Sequence, residues 1–258
     1  MMISVNGISL HAEDSGAGDL ALIFLHYWGG TARTWKPVIA ALPKGLRAIA
    51  LDARGWGQSD RPDGGYDIAS MADDVEAAIS ALGLNRFVLV GHSMGGKVAQ
   101  LLASRQPSGL AGLVLVAPSP ARGKSLPEPE REVMEGAYAT PESIAFVIDN
   151  ALAARLLPPA MREQVIADSF AGAGAAKAFW PSTAIAEDVS ADLARIDVPV
   201  LVIGGEHDRV DSVDILRTVV LPSLPGAVIA VIPGVGHLSP LEAPLEVVER
   251  IRDFVDGR

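Results

Sequence analysis

Short runs of consecutive apolar residues recur along the chain, and glycine- or proline-rich turns separate them. Runs without alternation between apolar and polar positions predict strands that are buried on both faces of a parallel sheet. Amphipathic helical stripes lie between them, such as 71–82, which ends at Gly83. The alternation predicts an α/β protein with a doubly wound, mostly parallel sheet. The apolar runs lie at 20–25, 47–51, 87–90, 110–117, 198–203 and 227–232.

Two segments of the chain depart from this pattern. Segments 3–5 and 8–11 flank Asn6-Gly7, and an Asn-Gly pair favours the type I′ turn of an antiparallel hairpin. From Arg122 to Arg195 the strand pattern stops, and proline-interrupted helical pieces replace it. We therefore expect a core of residues 1–119 and 196–258 with an inserted helical cap of residues 120–195. The predicted cap helices are 129–139, 141–157, 159–170 and 173–184.

Composition narrows the function classes. The 258 residues include 31 acidic and 21 basic side chains, so the net charge of −10 disfavours nucleic-acid binding. The absence of cysteine excludes disulfides, thiolate nucleophiles and cysteine metal sites. No apolar run approaches the roughly 20 residues of a membrane span, and the start of the sequence lacks a signal-peptide pattern. We expect a cytoplasmic protein without a membrane or nucleic-acid partner, and the sequence does not indicate its oligomeric state.

Candidate chemistry begins at Gly91-His92-Ser93-Met94-Gly95, which lies between a predicted strand and a predicted helix. This G-x-S-x-G pattern in this context is typical of a nucleophile elbow, a strained turn that presents a serine hydroxyl. Gly91 and Gly95 would flank the turn because a Cβ has no room there. Ser93 is therefore the candidate nucleophile.

A serine nucleophile needs a base, and the base needs an orienting acid. Of the five histidines, His237 lies in a glycine-flanked loop after the last predicted strand, where its imidazole can reach the tip of another strand. His26 is expected to shape the glycine loop after its own strand, with a role as the base as the alternative. Asp208 follows the strand 198–203 and gives the chain order Ser, Asp, His, the order that accompanies a G-x-S-x-G elbow. The neighbouring alternatives, which we expect to be solvated, are Glu206, Asp211 and Asp214.

Together these motifs resemble the α/β-hydrolase superfamily, close to small serine esterases, cofactor-free haloperoxidases (perhydrolases) and enol-lactone hydrolases. The resemblance covers nearly the whole chain. It also includes the loop at 52–59, which is mainly architectural in the family, and there we expect Arg54 and Asp60 to form an internal polar brace. The remaining matching segments are 26–30, 91–96, 205–208 and 236–237.

The resemblance implies an oxyanion hole made of two backbone N–H groups. Carried over to this chain, the donors are Met94 and Trp28, with Tyr27 as the alternative to Trp28. Tyr27 stands where the family has glycine, so the sequence does not determine the backbone geometry of this loop. We expect Tyr27, His92 and Trp180 to line a substrate pocket, and Trp180 is one of several cap aromatics that could do so; the others are Tyr138, Phe146, Phe170 and Phe179.

The leading hypothesis is a serine hydrolase that cleaves a small carboxylic ester or lactone through an acyl-enzyme, without a cofactor. The resemblance also allows a perhydrolase or a C–C bond hydrolase with the same triad. A ligand-binding signalling protein with slow turnover is the alternative from another class. We expect no metal site, because the histidines are dispersed and lack metal-binding spacing.

Overall fold

The structure is a computed structural model, and we describe residues 1–257. Over this range eight strands form one sheet in the order β1-β2-β4-β3-β5-β6-β7-β8. The strands from β4 to β8 in that order are parallel, and β1 and β2 are antiparallel additions at one edge. The predicted α/β class with a mostly parallel sheet is confirmed. The strands are β1 Met2–Val5, β2 Ile8–Ser15, β3 Ala21–Leu25, β4 Arg47–Leu51, β5 Phe87–His92, β6 Leu110–Val116, β7 Val200–Gly205 and β8 Val228–Ile232.

Helices connect the strands and cover both faces of the sheet. Some of them are extended by 3₁₀ turns, such as Ala32–Trp35 before α1, or by π turns, such as Leu216–Val220 after α8. Thr31 caps the 3₁₀ turn through its side chain. The helices are α1 Lys36–Ala41, α2 Ile68–Ala81, α3 Met94–Ser104, α4 Glu128–Gly136, α5 Pro141–Val147, α6 Pro159–Ala171, α7 Gly174–Ser182, α8 Val213–Ile215, α9 Ser239–Glu242 and α10 Pro244–Asp256.

The hairpin at the start of the chain forms as predicted. Asn6 and Gly7 have φ angles of 46° and 81°, the two positive values that a type I′ turn requires. Strand β2 extends to Ser15, four residues beyond the predicted end at His11. The extension forms because residues 12–15 pair with β4, a contact distant in sequence that local patterning does not reveal.

Successive side chains of β3 enter two separate apolar clusters. Leu22 and Phe24 pack in one cluster, together with side chains of α1 and α10. Ile23 and Leu25 pack in the other, with side chains of α2, α3 and the cap. Because strand side chains alternate between faces, a sheet covered on both sides needs apolar residues at every position. This accounts for the uninterrupted apolar runs.

The segment between β6 and β7 is helical, and it contains α4 to α7. The predicted helix 141–157 is wrong in length. Helix α5 ends at Val147, a single π turn follows at Ile148–Leu152, and Ala153 is extended. The chain leaves the helix there because the backbone N–H groups of Ala154 and Arg155 donate to the Glu242 carboxylate, both at 2.8 Å.

A buried ion pair joins the loop after β4 to α2. The Arg54 guanidinium donates to both carboxylate oxygens of Asp74 at 2.6 and 2.7 Å, and both residues are buried. The expected pairing of Arg54 with Asp60 is wrong, because the Asp60 carboxylate instead accepts the backbone N–H of Ser9 at 2.8 Å. The brace is thus made by a helix that begins 14 residues after Arg54.

Asp74→Ala should lower the free energy of unfolding by about 3–5 kcal/mol, because it leaves the Arg54 charge buried without a partner. Chemical denaturation measures this value. Asp73→Ala is the control on the same helix: its partner Arg105 is partly exposed and Asp73 is 57% exposed, so a loss of less than about 1 kcal/mol is expected. Equal losses in the two variants would contradict a structural role for the buried pair.

Candidate active site

Ser93 lies in a strained turn between β5 and α3. Its φ and ψ angles are 51° and −111°, in a region that residues other than glycine rarely adopt. The side chain is mostly buried, and α3 begins at the next residue, Met94. This strand–turn–helix geometry is that of a nucleophile elbow.

The two glycines of the motif are required by close backbone contacts. A Cβ on Gly91 would overlap the carbonyl oxygen of Gly95, and a Cβ on Gly95 would lie 2.6 Å from the carbonyl oxygen of Leu25. The backbone N–H of Gly95 also donates to the His26 carbonyl at 3.2 Å. The lack of room for a Cβ agrees with the steric argument from the sequence, and the structure adds that the turn packs directly on the end of β3.

Asp208 and His237 lie in the loops that follow the carboxyl ends of β7 and β8, and their side chains are in contact. His237 Nδ1 lies 2.8 Å from Asp208 Oδ2, and the two side chains are almost fully buried. The other oxygen, Asp208 Oδ1, accepts the backbone N–H groups of Val210 and Asp211 at 2.8 and 3.0 Å. Because both carboxylate oxygens are occupied, Asp208 is held in one orientation. Nδ1 of His237 donates to it, which leaves Nε2 able to accept a proton.

The loop that carries His237 is fixed by two parts of the chain. The backbone N–H of His237 donates to the Leu152 carbonyl of the cap at 2.8 Å, and the Glu242 carboxylate accepts the N–H of Gly236. His92 Nε2 lies 2.8 Å from the His237 carbonyl oxygen. The flexibility expected of a glycine-flanked loop is thus removed by long-range hydrogen bonds.

Opposing effects act on the pKa of His237. Burial lowers it, but the charge and hydrogen bond of Asp208, with further contributions from Asp211 and Glu242, raise it above the ordinary 6.5. The surrounding carboxylates stabilise the imidazolium form. An imidazole in this setting can take up a proton and hold it while a reaction proceeds.

The loop after β3 faces the elbow, and the cap holds it in place. The Tyr138 hydroxyl donates to the Trp28 carbonyl at 2.9 Å and its ring stacks on the Trp28 indole, with centroids 4.1 Å apart. Ser169 donates to the Gly29 carbonyl at 2.8 Å. At the start of the loop, His26 shapes the backbone as predicted: Nδ1 lies 2.7 Å from the Tyr27 carbonyl oxygen and Nε2 accepts the Ala53 N–H.

Three backbone N–H groups near the elbow have no hydrogen-bond acceptor within residues 1–257. They are the N–H groups of Tyr27, Trp28 and Met94. These N–H groups therefore remain able to bind a substrate oxygen. Hydrogen bonding does not distinguish Trp28 from Tyr27 as the second donor, so both stay candidates.

A cavity of about 390 Å³ brings these residues together, and Ser93, His237, Tyr27 and Trp28 all line it. Its volume falls in the range of sites for small organic ligands. Of the cap aromatics, Tyr138 and Trp180 line the cavity, whereas Phe146 and Phe170 are exposed. The cap also contributes apolar side chains, among them Leu126, Val133, Met134, Val147, Leu152 and Ile185.

The expectation that His92 lines the pocket is wrong. Its side chain is fully buried behind the elbow, where it donates to the His237 carbonyl and packs against the Tyr27 ring. Burial lowers its pKa well below the ordinary value, and the charge of His237 lowers it further. His92 is thus a neutral residue that supports the His237 loop.

Asp211 is the residue that sequence reasoning placed wrongly. We expected a solvated carboxylate, but Asp211 is 2% exposed and lines the same cavity as Ser93 and His237. Burial raises its pKa to about 6. No periodicity distinguishes it from Asp214, which is exposed. Only the sheet order, which brings the β7 loop beside the β8 loop and under the cap, decides the difference.

Lys97 is a second buried charge that the sequence did not reveal. It lies one turn after Ser93 on α3 and donates to the carbonyls of Ala184 and Ile185 at 3.1 and 3.0 Å. Burial lowers its pKa to about 8. These bonds tie the helix of the elbow to the end of the cap segment.

The described part of the chain offers no group of three or more histidine or carboxylate side chains arranged to hold a metal ion. Over the same residues, no helix combines the length and apolarity that crossing a bilayer requires.

Comparison with known proteins identifies the family of this chain. Residues 22–250 match the model of the alpha/beta hydrolase family. A non-heme chloroperoxidase of Streptomyces lividans is 32% identical over 235 residues, which cover 80% of each chain. The chain belongs to the α/β-hydrolase family and is an enzyme of hydrolase type, as the resemblance predicted.

Solved structures agree over nearly the full length. The enol-lactonase of Burkholderia xenovorans is 25% identical with a TM-score of 0.87, and 99% of this chain aligns with 100% of that chain. A thermophilic esterase of Thermogutta terrifontis is 28% identical with a TM-score of 0.81, and the alignment covers 100% of this chain and 98% of that chain.

Asp211→Asn should lower the pKa of His237, because it removes a negative charge that stabilises the imidazolium. An NMR titration of the histidine side chains measures this pKa, with the His237 signal assigned from a His237→Gln spectrum. Asp214→Asn, an exposed position on the next helix, is the control and should leave the pKa in place. An equal or higher pKa in Asp211→Asn would contradict the proximity of the two groups.

Proposed function

We propose that this protein is a serine hydrolase that cleaves small carboxylic esters or lactones through an acyl-enzyme. One observation carries the proposal: a serine in a strained elbow lines the same cavity as a buried, hydrogen-bonded aspartate–histidine pair. A serine hydroxyl needs an oriented base to become a nucleophile at neutral pH. The relatives named as an enol-lactonase and an esterase support this substrate class.

In the proposed reaction, Ser93 Oγ attacks the carbonyl carbon and His237 Nε2 takes its proton. Asp208 keeps His237 in the tautomer with Nδ1 protonated and stabilises the imidazolium that forms. Met94 and Trp28, with Tyr27 as the alternative to Trp28, donate backbone N–H bonds to the oxyanion. His237 then protonates the leaving alcohol, and water, deprotonated by the same imidazole, releases the acid from Ser93.

A backbone oxyanion hole makes the loop's shape more important than its side chains. Loss of one donor typically costs about 10²–10³ in turnover. In this chain the cap residues Tyr138 and Ser169 bond to the carbonyls of Trp28 and Gly29. We therefore propose that the core and the cap have different roles, and that the core, 1–119 and 196–258, carries the reacting groups. The cap, 120–195, encloses the substrate and holds the oxyanion loop.

Ser93→Ala should lower hydrolysis of short p-nitrophenyl esters by about 10⁶-fold and abolish labelling by a fluorophosphonate probe, because the nucleophile is lost. Ser119→Ala is the matched control. Ser119 is another buried serine of the same cavity, and this variant should still be labelled. Retained hydrolysis and labelling in Ser93→Ala would refute the mechanism. Tight ligand binding without turnover in the wild type would instead favour the signalling alternative.

Perhydrolysis is the second candidate, and the 32% identity to a protein named as a non-heme chloroperoxidase favours it. In this reaction acetic acid acylates Ser93 with loss of water, and hydrogen peroxide then attacks the acyl-Ser93 ester. The peracetic acid that leaves oxidises bromide to the brominating species. Wild-type protein with acetate, peroxide and bromide should then brominate monochlorodimedone, and Ser93→Ala should not. Ester hydrolysis without halogenation would assign the protein to hydrolysis alone.

A further inference from the structure

Within residues 1–257, the Asp211 carboxylate has no hydrogen-bond or ion-pair partner. It follows Asp208 by three residues in the loop after β7, is 2% exposed, and lines the cavity beside Ser93 and His237. Its backbone N–H donates to Asp208 Oδ1 at 3.0 Å. Among the same residues, only the charges of more distant groups act on its side-chain oxygens.

The other buried carboxylates of the described residues show what a structural role looks like. Asp52 accepts the backbone N–H groups of Ala32 and Gln58 and lies 2.8 Å from His11 Nδ1. Asp74 accepts the Arg54 guanidinium. Asp208, not Asp211, bonds the N–H groups of the β7 loop. The Asp211 side chain therefore forms none of the structural hydrogen bonds or ion pairs that the other three buried carboxylates form.

A buried carboxylate without a donor is unfavourable, and the surroundings only partly compensate for it. Burial and the charge of Asp208 raise the pKa of Asp211, whereas His237, Lys124 and Lys97 oppose the rise, and the net pKa is about 6. The carboxylate form therefore predominates at neutral pH. An ionised acceptor in the cavity wall is matched best by a ligand that supplies a hydrogen-bond donor.

The charges around the cavity indicate which donor fits. Lys124 and Arg209 line it together with Glu130 and Asp211, so two cations and two anions leave no net preference for a charged ligand. Arg209 and Lys124 donate to the backbone carbonyls of Asn150 and Val210. A neutral hydroxyl or amide N–H can bond to Asp211 without repulsion from either cation.

The position relative to His237 indicates which part of the substrate carries the donor. In the proposed mechanism His237 protonates the leaving alcohol, so that part of the substrate lies beside the imidazole. Asp208 connects the two residues, because one of its oxygens bonds to His237 Nδ1 and the other accepts the Asp211 N–H, and Asp211 and His237 line the same cavity. The alcohol side of the substrate is therefore the side within reach of Asp211.

We propose that Asp211 is a specificity-determining residue that accepts a hydrogen bond from a neutral hydroxyl or amide N–H on the alcohol part of the substrate. The inference rests on the proposed ester or lactone hydrolysis and narrows its substrate class to esters of polar alcohols. Sites that hydrogen-bond a substrate group discriminate strongly against analogues that lack it, since their own buried polar group is then unpaired.

The test compares two esters of equal size, ethylene glycol monobutyrate and propyl butyrate, which differ by a hydroxyl in place of a methyl group. Wild-type kcat/KM should favour the glycol ester by about 10- to 100-fold, the range of a hydrogen bond to a charged group. Asp211→Leu, which keeps the branched shape of the side chain without its charge, should bring the ratio close to one, whatever its effect on the absolute rates. Asp214→Asn, exposed on the next helix, should keep the wild-type ratio.

The ratio separates recognition from a structural role. The Asp211 backbone N–H to Asp208 survives every side-chain replacement, and a change in the His237 pKa acts equally on both esters. If Asp211→Leu does not fold, Asp211→Asn serves instead, and its loss of charge should lower the ratio at least about 3-fold. A ratio that stays at the wild-type value in the folded variant, or a wild-type ratio near one, overturns the inference.

A second pair tests the side of the substrate. Methyl glycolate and methyl propionate place the same replacement on the acyl part. The ratio of kcat/KM for these two esters should be the same in the wild type and in all variants. A preference for glycolate that disappears in Asp211→Leu would overturn the assignment to the alcohol side. Failure of the proposed function looks different: no ester is hydrolysed and Ser93 is not labelled. Hydrolysis of propyl butyrate through Ser93 without a glycol preference overturns only the inference about Asp211.

Discussion

The strained turn at Ser93 is the constraint on which the rest of the site depends. A φ of 51° at a serine persists only where surrounding structure excludes the relaxed alternatives. Here Gly91 and Gly95 let two backbone segments touch, and Gly95 bonds to His26 at the end of β3. The elbow and the loop after β3 are therefore a single packed unit. A candidate nucleophile and the candidate oxyanion donors cannot move independently of each other.

The cap lines the cavity and also forms hydrogen bonds to the residues of the candidate site. Its side chains and carbonyl groups bond to each part of the site: Tyr138 to Trp28, the Leu152 carbonyl to His237, and the Ala184 carbonyl to Lys97 on the elbow helix. Hydrogen bonds in an enclosed region rigidify what they connect. Changes in the cap are thus expected to alter the geometry of the reacting groups as well as the shape of the cavity.

Three ionisable groups give the cavity its electrostatic character. Both oxygens of Asp208 accept hydrogen bonds and the residue holds His237, whereas Asp211 is also buried but accepts no hydrogen bond from residues 1–257. Two carboxylates near one imidazole stabilise its charged form, so His237 gains basicity that burial alone would remove. The same arrangement leaves Asp211 as an acceptor available to a ligand.

Much of this protein was predictable from its sequence, because the features concerned are local. Apolar runs give strands, Asn6-Gly7 gives a type I′ turn, and the glycines around Ser93 leave room for backbone contacts that a Cβ would block. Resemblance of the motifs to a family was enough for the fold class. The tertiary structure alone decided that Asp211 is buried while Asp214 is exposed, and that His92 supports a loop instead of lining the cavity. Burial and partner choice depend on the order of strands in the sheet and on the position of the cap, and these bring together residues whose separation in the chain carries no local signal.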